Sequence, residues 1–199
     1  MRRYHYQLGA KFKTPWTIRL DRELKDLQAL ENDSTILEMK AEGDPPDHYV
    51  FTFHGKSLVP GRDENGVSIG DEQKVEIRLG TNYPRRAPEI HWLTPIVHPN
   101  ISGHNVCLGK FGQNWNPNIR LADVVEILWD MARLSIFNPH SAYRDWGGLD
   151  KRYEFPVDKR PLRDKRFPDN VGSSELRPSG GANDVVILDD DESACQFLE

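Results

Sequence analysis

Cys107 follows the tripeptide His98-Pro99-Asn100 by seven residues and precedes Trp115 by eight. A thiolate can accept an acyl group as a thioester, and an uncharged side-chain amide can donate a hydrogen bond to the oxyanion that forms when an amine attacks it. We therefore expect Cys107 to be the nucleophile and Asn100 to assist the transfer. His98 and Pro99 are expected to set the turn before Asn100, and Trp115 to shield the site without reacting.

Other roles for these residues stay open at this point. A cysteine between two apolar neighbours, as in Val106-Cys107-Leu108, is most often a buried core thiol, and Asn100 could simply cap a turn. A thiol hydrolase would need a histidine within hydrogen-bond reach of Cys107, which spacing alone cannot show. A zinc site on His98, His104 and Cys107 matches no standard ligand spacing, so neither a metal nor another cofactor is expected.

The composition narrows the class of protein. A net charge of −5 over 199 residues argues against nucleic acid as the main partner, because a phosphate-binding surface needs a basic excess. The two cysteines, Cys107 and Cys195, are too few for a disulfide framework, which favours a reduced, intracellular protein. The sequence lacks an apolar leader and an apolar run of membrane-spanning length, so we expect a soluble, cytoplasmic protein with no membrane partner.

Two amphipathic helices must position the chemistry. Thr14-Pro15 is typical of a cap followed by proline at the first helical position, and the helix is expected to end near Asn32. A second, mostly buried helix is predicted from the apolar spacing between Leu121 and Met131.

Extended runs lie between these helices, and the order of elements predicts an α+β domain. It has an N-terminal helix, a four-stranded antiparallel meander, an irregular active-site segment from Thr94 to Pro117, and C-terminal helices. The four strands are expected at Thr35–Lys40, His48–Phe53, Gln73–Leu79 and Glu89–Leu93, with turns at Gly43–Asp47 and Gly55–Gly70.

The chain divides into three parts. Residues 14–150 are expected to form the catalytic domain, residues 151–183 a charged linker or disordered segment, and residues 184–199 an acidic tail. The tail contains the apolar run Val185, Val186, Ile187 and Leu188, which could add as a strand to an exposed sheet edge of this domain or of a partner.

Five sequence elements together resemble the ubiquitin-conjugating enzyme family. They are the helix pattern Arg19–Leu27, the turn Tyr83–Pro88, the stretch Val97–Ile101 around His-Pro-Asn, the tripeptide Val106–Leu108 around the cysteine, and Trp115–Pro117. Each motif alone is weak, but their order and spacing together are specific.

The resemblance implies a function and a set of partners. A member of this family accepts the C-terminus of a ubiquitin-like modifier from an activating enzyme, which uses the ATP, and transfers it to an amine of a target protein. The resemblance also implies that Arg19, Arg22 and Lys25 on the first helix dock the activating enzyme, although a solvated face is the simpler interpretation. The apolar-acidic tail resembles a motif that binds SUMO-like modifiers; a merely sticky tail or an intramolecular strand is the alternative.

The chain departs from the family pattern near the site. The interval from Asn100 to Cys107 is one residue shorter than usual, and Asn138-Pro139 is followed by His140-Ser141 where the family often has two acidic residues. His140, Ser141, Tyr143 and Asp145 are therefore candidates to assist the incoming amine. These differences fit a divergent member, such as those of prokaryotic ubiquitin-like conjugation systems. An inactive scaffold that binds modifiers or their activating enzyme is the alternative function.

Overall fold

The structure is a computed structural model that describes residues 13–62, 66–138 and 158–166, together with the backbone of residues 186–187. No helix within these ranges is long and apolar enough to cross a membrane. The predicted positions at Pro139, His140, Ser141, Tyr143 and Asp145 lie outside the described residues.

The first helix begins and ends where the sequence predicts. Helix α1 spans Pro15–Asn32. The hydroxyl of Thr14 caps it by accepting a hydrogen bond from the Thr17 N–H at 3.2 Å, and this satisfies one of the N–H groups that a helix start leaves without a partner. Leu20, Leu27 and Leu30 are fully buried, so this face of the helix lies against the core.

A six-stranded antiparallel sheet contains the predicted meander. The four long strands pair in chain order, and two short strands of the active-site segment extend the sheet in the order β4-β6-β5. The sequence did not predict these short strands. The bounds are β1 Leu37–Gly43, β2 Pro46–Pro60, β3 Val67–Arg78, β4 Glu89–Trp92, β5 Ile101–Ser102 and β6 Asn105–Val106.

The predicted turn over Gly55–Gly70 is wrong for most of its length. Strand β2 continues to Pro60 and β3 begins at Val67, with a change of register between His54 and Ser57. Gly55 serves close packing instead of a turn. A Cβ added at Gly55 would lie 2.4 Å from the Trp129 ring.

Two helices and a short strand complete the core. Helix α2, Lys110–Gln113, follows the cysteine, and helix α3, Leu121–Ala132, contains eight buried residues, which confirms the predicted second helix. Leu134 adopts the left-handed conformation with φ 55, and the Ser135 N–H then bonds the Asp130 carbonyl at 2.8 Å. This turn directs the chain into β7, Ile136–Phe137.

Arg19 faces inward, against the prediction that it lies on a solvated partner-binding face. Its guanidinium donates to the carbonyls of Pro117 and Ile119, each at 2.6 Å, and it pairs with Glu23 at 2.5 Å. It also lies over the Tyr83 ring. Arg19 is therefore a structural residue that ties α1 to the chain before α3.

Glu23 is the centre of this buried network, with 1% of its surface exposed. One carboxylate oxygen accepts the Tyr83 hydroxyl at 2.7 Å, and the other accepts the Leu121 N–H at 2.9 Å. Burial, to which the Glu23 charge adds, raises the pKa of Tyr83, so its hydroxyl remains a donor. A carboxylate at the N-terminus of α3 is also favourably placed for the helix dipole.

Residues 158–166 lie inside the stretch expected to be a charged linker, yet they bind to the domain. Leu162 is 3% exposed, and the Arg160 carbonyl accepts the Trp129 indole N–H at 2.9 Å. Arg163 pairs with Asp33 after α1 and with Glu126 on α3. We call residues 158–166 the strap. The sequence does not reveal this contact, because a segment held by one leucine and ion pairs has no apolar periodicity.

The last described element is β8, Val186–Ile187, in the predicted apolar run. It pairs in parallel with β7, through Ile136 opposite Val186 and Phe137 opposite Ile187. The backbone thus forms the intramolecular strand that the sequence left open. Residues 185 and 188 lie outside the described residues, and binding of a modifier by this run stays a prediction.

Candidate active site

The side chain of Asn100 joins the two parts of the chain that border the site. Its amide nitrogen donates to the Asn138 carbonyl at 3.0 Å, and its amide oxygen accepts the Asn138 N–H at 2.7 Å. Its own carbonyl accepts the Cys107 N–H at 2.9 Å. Asn100 is 3% exposed and Asn138 is 3% exposed, so both bonds form away from water. Asn100 therefore fixes the position of Cys107 relative to the segment after β7.

His98 is a buried structural residue. Its Nδ1 accepts the Asn100 N–H at 3.0 Å, and its Nε2 lies 3.3 Å from the Ile136 carbonyl. This pattern requires the neutral ring with the proton on Nε2. Burial lowers the pKa of His98 to about 3. With both ring nitrogens engaged by the backbone, His98 cannot serve as a general base for a thiol, which argues against its use in a hydrolase.

Cys107 and Asn100 line one small apolar cavity of about 140 Å³. Its walls come from the chain after the cysteine, from α3 and from β7. The lining of this cavity is almost entirely apolar, so a group held in it would have few polar side chains around it. The other lining residues are Leu108, Phe111, Ile127, Met131, Ile136 and Phe137.

Cys107 is disulfide-bonded in this structure. The sequence predicted a reduced thiol, because two cysteines are too few for a disulfide framework. A disulfide sulfur cannot act as the acyl acceptor, since only the thiolate is nucleophilic. Reduction must therefore precede any thioester chemistry at this residue.

Trp115 packs the active-site segment against the turn that contains Tyr83 and Pro84. Its indole N–H donates to the Pro84 carbonyl at 2.8 Å, and its ring contacts Tyr83 and Phe111 at centroid distances of 6.1 and 6.4 Å. Because Phe111 also lines the cavity, Trp115 acts on the site through its neighbours. These are packing contacts, and the shielding of the site by Trp115 stays a prediction.

The predicted partner-binding residues of α1 do not line this cavity. Arg22 and Lys25 are exposed on α1. Ile18, 54% exposed, precedes them at helical spacing, so the three side chains share one face. Sequence reasoning did not find Ile18, Asn138 or the cavity residues of α3 and β7. A pattern of apolar residues cannot distinguish a cavity wall from a core.

The comparisons with known proteins agree with this geometry. The family model for ubiquitin-conjugating enzymes matches residues 19–146, which is more than half of the chain. The chain therefore belongs to the ubiquitin-conjugating enzyme family, and the resemblance seen in the sequence is confirmed.

Curated relatives include two proteins of Schizosaccharomyces pombe. The NEDD8-conjugating enzyme ubc12 is 37% identical over 113 residues, which cover 56% of this chain and 58% of the relative. Ubiquitin-conjugating enzyme E2 16 is 33% identical over 101 residues, covering 50% of this chain and 59% of the relative. The chain thus spans less than two thirds of the length of these relatives.

Solved structures with a similar fold include a ubiquitin conjugating enzyme E2 from Plasmodium falciparum. It is 19% identical, with 58% of this chain and 96% of that chain covered and a TM-score of 0.46. The enzyme UbcA1 from Agrocybe aegerita is 21% identical, with coverages of 60% and 83% and a TM-score of 0.45.

The buried neutral state of His98 predicts an acid-sensitive fold. The unfolded chain protonates this histidine near pKa 6.5, whereas the folded protein resists protonation until about 3. The contribution of neutral His98 to the free energy of unfolding is therefore fully present above the pKa of the unfolded chain, and it is lost as the pH falls toward the pKa of the folded protein. Relative to His98→Gln, the free energy of unfolding should fall by up to about 1.4 kcal/mol per pH unit between about pH 6 and pH 4. Urea unfolding across this range measures it, and parallel profiles for the two proteins would contradict the assignment.

Proposed function

We propose that this chain is a ubiquitin-like-protein conjugating enzyme that carries the modifier as a thioester on Cys107 and transfers it to an amine of a target. Membership of the family supports the class of reaction. The observation that supports Cys107 as the acceptor is the apolar cavity, which Cys107 and Asn100 both line. The relatives include both a NEDD8-conjugating and a ubiquitin-conjugating enzyme, so the modifier is proposed only as ubiquitin-like.

The first step is an exchange between two thioesters. The Cys107 thiolate attacks the carbonyl carbon of the modifier's C-terminal thioester on an activating enzyme. A new sulfur–carbon bond forms and the thiolate of the activating enzyme leaves. The exchange is nearly balanced in free energy, so it needs no strong base, in agreement with the neutral, fully engaged His98 nearby. ATP is consumed by the activating enzyme and not by this chain.

The second step is attack by an amine, which places negative charge on the thioester oxygen before the Cys107 thiol leaves. Asn100 supports this step mainly as a positioning residue, because its side chain holds the Asn138 backbone beside the cavity. Its amide dipole also lies at the border of the cavity and favours the developing charge. We propose Ser141 and Tyr143, in the segment beyond Asn138, as helpers of the incoming amine.

The exposed face of α1 is the proposed docking surface for the activating enzyme. Arg22 and Lys25 place positive charge beside the exposed Ile18, and such a mixed apolar and cationic face is suited to an acidic partner. Arg19 is left out of this surface because its guanidinium is committed to Glu23 and to backbone carbonyls. Val185, Val186, Ile187 and Leu188 remain a proposed contact for the modifier.

Modifier loading tests the proposed function. The reduced protein, freed of reductant, is incubated with ATP, a charged activating enzyme and its modifier, and its intact mass is measured. We expect an adduct that reductant removes, none in Cys107→Ala, and a reductant-stable oxyester in Cys107→Ser. If an activating enzyme shown to be charged leaves the reduced protein unloaded, the thioester proposal fails and the inactive scaffold is the better explanation.

The role of Asn100 is tested by measuring only the second step, the transfer of the modifier to an amine. Wild type and Asn100→Ala are loaded and purified, and discharge onto free lysine is followed as a single turnover. Asn100→Ala removes both the anchor of the Asn138 backbone and the amide at the border of the cavity. We expect it to slow discharge by roughly 10²–10³, the loss typical of one oxyanion donor. The matched control is Asn105→Ala, an exposed amide on the neighbouring strand β6. Discharge of Asn100→Ala at the wild-type rate would leave Asn100 with a purely structural role.

The docking surface predicts a charge-reversal effect on loading. The double variant Arg22→Glu, Lys25→Glu should load at least about tenfold more slowly at low salt, because it repels an acidic partner. The control Lys40→Glu, Lys56→Glu reverses two exposed lysines on the sheet and should load normally. Both double variants should unfold at the wild-type urea concentration. Equal loading by the two double variants would remove the docking proposal.

A further inference from the structure

The strap and the cavity lie on opposite sides of α3. Glu126 and Trp129 of this helix contact the strap, the first through an ion pair and the second through its indole N–H. Ile127 and Met131 of the same helix line the cavity. At about 100° per residue, the two pairs of side chains leave the helix about 150° apart. Helix α3 therefore separates the strap from the cavity wall beside Cys107.

We propose that the strap is a releasable clamp on α3 that sets the position of the cavity wall beside Cys107. Dissolved salt weakens the clamp, and its release loosens this wall while the rest of the domain stays folded. The consequence for transfer of a modifier rests on the proposed function, because it concerns the same cysteine. The clamp itself is measurable without a modifier.

The strap is held largely by charged side chains. Arg163 pairs with Asp33 at 3.2 Å and with Glu126 at 2.8 Å, and Arg166 pairs with Asp33 at 2.7 Å. These side chains are between 21% and 56% exposed, so salt in the solvent screens their attraction. The buried apolar side chain of the strap is Leu162. Release of a segment held in this way requires less free energy than opening a helix with a buried apolar face.

Release of the strap acts on the later turns of α3. The start of the helix stays fixed, because Glu23 accepts the Leu121 N–H at 2.9 Å. The strap binds further along the helix, where the Arg160 carbonyl accepts the Trp129 indole N–H at 2.9 Å. Both cavity residues of α3 lie in this later part, so the cavity wall depends on the part of the helix that the strap holds.

Close packing transmits a change in the strap to α3. A Cβ added at Gly55 would lie 2.4 Å from the Trp129 ring and 2.8 Å from the Asp158 carboxylate, so β2, α3 and the strap meet there without spare space. The Asp158 N–H bonds the Lys56 carbonyl at 3.3 Å, and the Asp158 carboxylate pairs with Arg160 at 2.7 Å. Because this contact is close-packed, loss of the strap leaves Trp129 without neighbouring atoms on one side.

Hydrogen exchange of the full, reduced chain tests release of the strap. The Lys165 N–H bonds the Asp33 carbonyl and the Asp158 N–H bonds the Lys56 carbonyl, so these two amides report release. Their exchange should accelerate about threefold between about 0.05 and about 0.5 M NaCl, because the ion pairs are screened. The amide of Leu27, in the buried face of α1, should exchange more slowly and without this acceleration. Strap amides that exchange at the rate of Leu27, or at a rate independent of salt, would overturn the releasable clamp.

Alkylation of the reduced Cys107 thiol tests the coupling to the cavity, with the modified peptide followed by mass. Arg163→Glu puts a carboxylate beside Asp33 and Glu126, and alkylation by iodoacetamide should accelerate at least about threefold because a loosened wall admits the reagent. The matched control is Lys159→Glu, which makes the same change of net charge at an exposed position of the strap. Arg163→Lys keeps the cation and should stay close to the wild-type rate. Equal rates for Arg163→Glu and Lys159→Glu would overturn the coupling.

The salt dependence of alkylation distinguishes a clamp from a merely structural contact. Alkylation of Cys107 in the wild type should accelerate over the same range of NaCl, whereas Arg163→Glu, whose clamp is already released, should show little further change. All the variants should keep a cooperative urea transition, because the strap opens without unfolding the domain. The same relative response to salt in the wild type and in Arg163→Glu would overturn the clamp as its cause.

Transfer of the modifier separates this proposal from the proposed function. Loaded Arg163→Glu should discharge onto free lysine at least about threefold more slowly than loaded Lys159→Glu when lysine is saturating, with the half-saturating lysine concentration unchanged. If no reduced protein loads although the activating enzyme is charged, the proposed function fails, and hydrogen exchange and alkylation still decide whether the clamp exists. Equal maximal rates of discharge by the two variants would overturn the role of the clamp in transfer.

Discussion

The amide of Asn100 forms two hydrogen bonds with the backbone of Asn138, and the geometry of the candidate active site depends on this pair. One border of the cavity starts at Asn100 and the other runs through β7 into Asn138. His98 links the same two borders, because its Nδ1 accepts the Asn100 N–H and its Nε2 donates to the Ile136 carbonyl. A buried polar group left without its partner costs roughly 1–3 kcal/mol, so each of these bonds disfavours any arrangement in which the two borders separate.

A second buried network sets the position of the helices behind the cavity. Glu23 accepts hydrogen bonds from Tyr83 and from the first N–H of α3, while Arg19 offsets its charge. Helix α3 supplies Ile127 and Met131 to the cavity wall. Glu23 accepts the N–H of the first residue of α3 and so fixes where this helix starts. The positions of Ile127 and Met131 in the cavity wall therefore depend on a residue of α1 that lies nearly a hundred positions earlier in the chain.

The sequence predicts what depends on neighbouring residues. Thr14 and Pro15 mark the start of α1 because caps act over a few positions, and apolar spacing marks α3 for the same reason. Sequence-based prediction is wrong where contacts between distant parts of the chain determine the role of a residue. The glycine at position 55 suggests a turn but makes room for Trp129, and Arg19 has the spacing of a surface residue but bonds carbonyls beyond position 116. The motifs around Cys107 predict a site there, but they do not predict that its sulfur is engaged in a disulfide.

The strap affects the binding free energy of chain segments that follow it, because it anchors the chain to the domain. Ion pairs from Arg163 to Asp33 and Glu126, with Leu162 buried beneath, anchor the chain near α3. Residues that follow the strap are joined covalently to this anchor, and a segment so joined meets a binding site on the domain at an effective concentration on the order of millimolar. At that concentration even the weak pairing of two residues competes with a partner supplied from solution. The pairing is also insensitive to dilution of the protein, so its strength reflects the covalent path of the chain as much as the contacts of the strand.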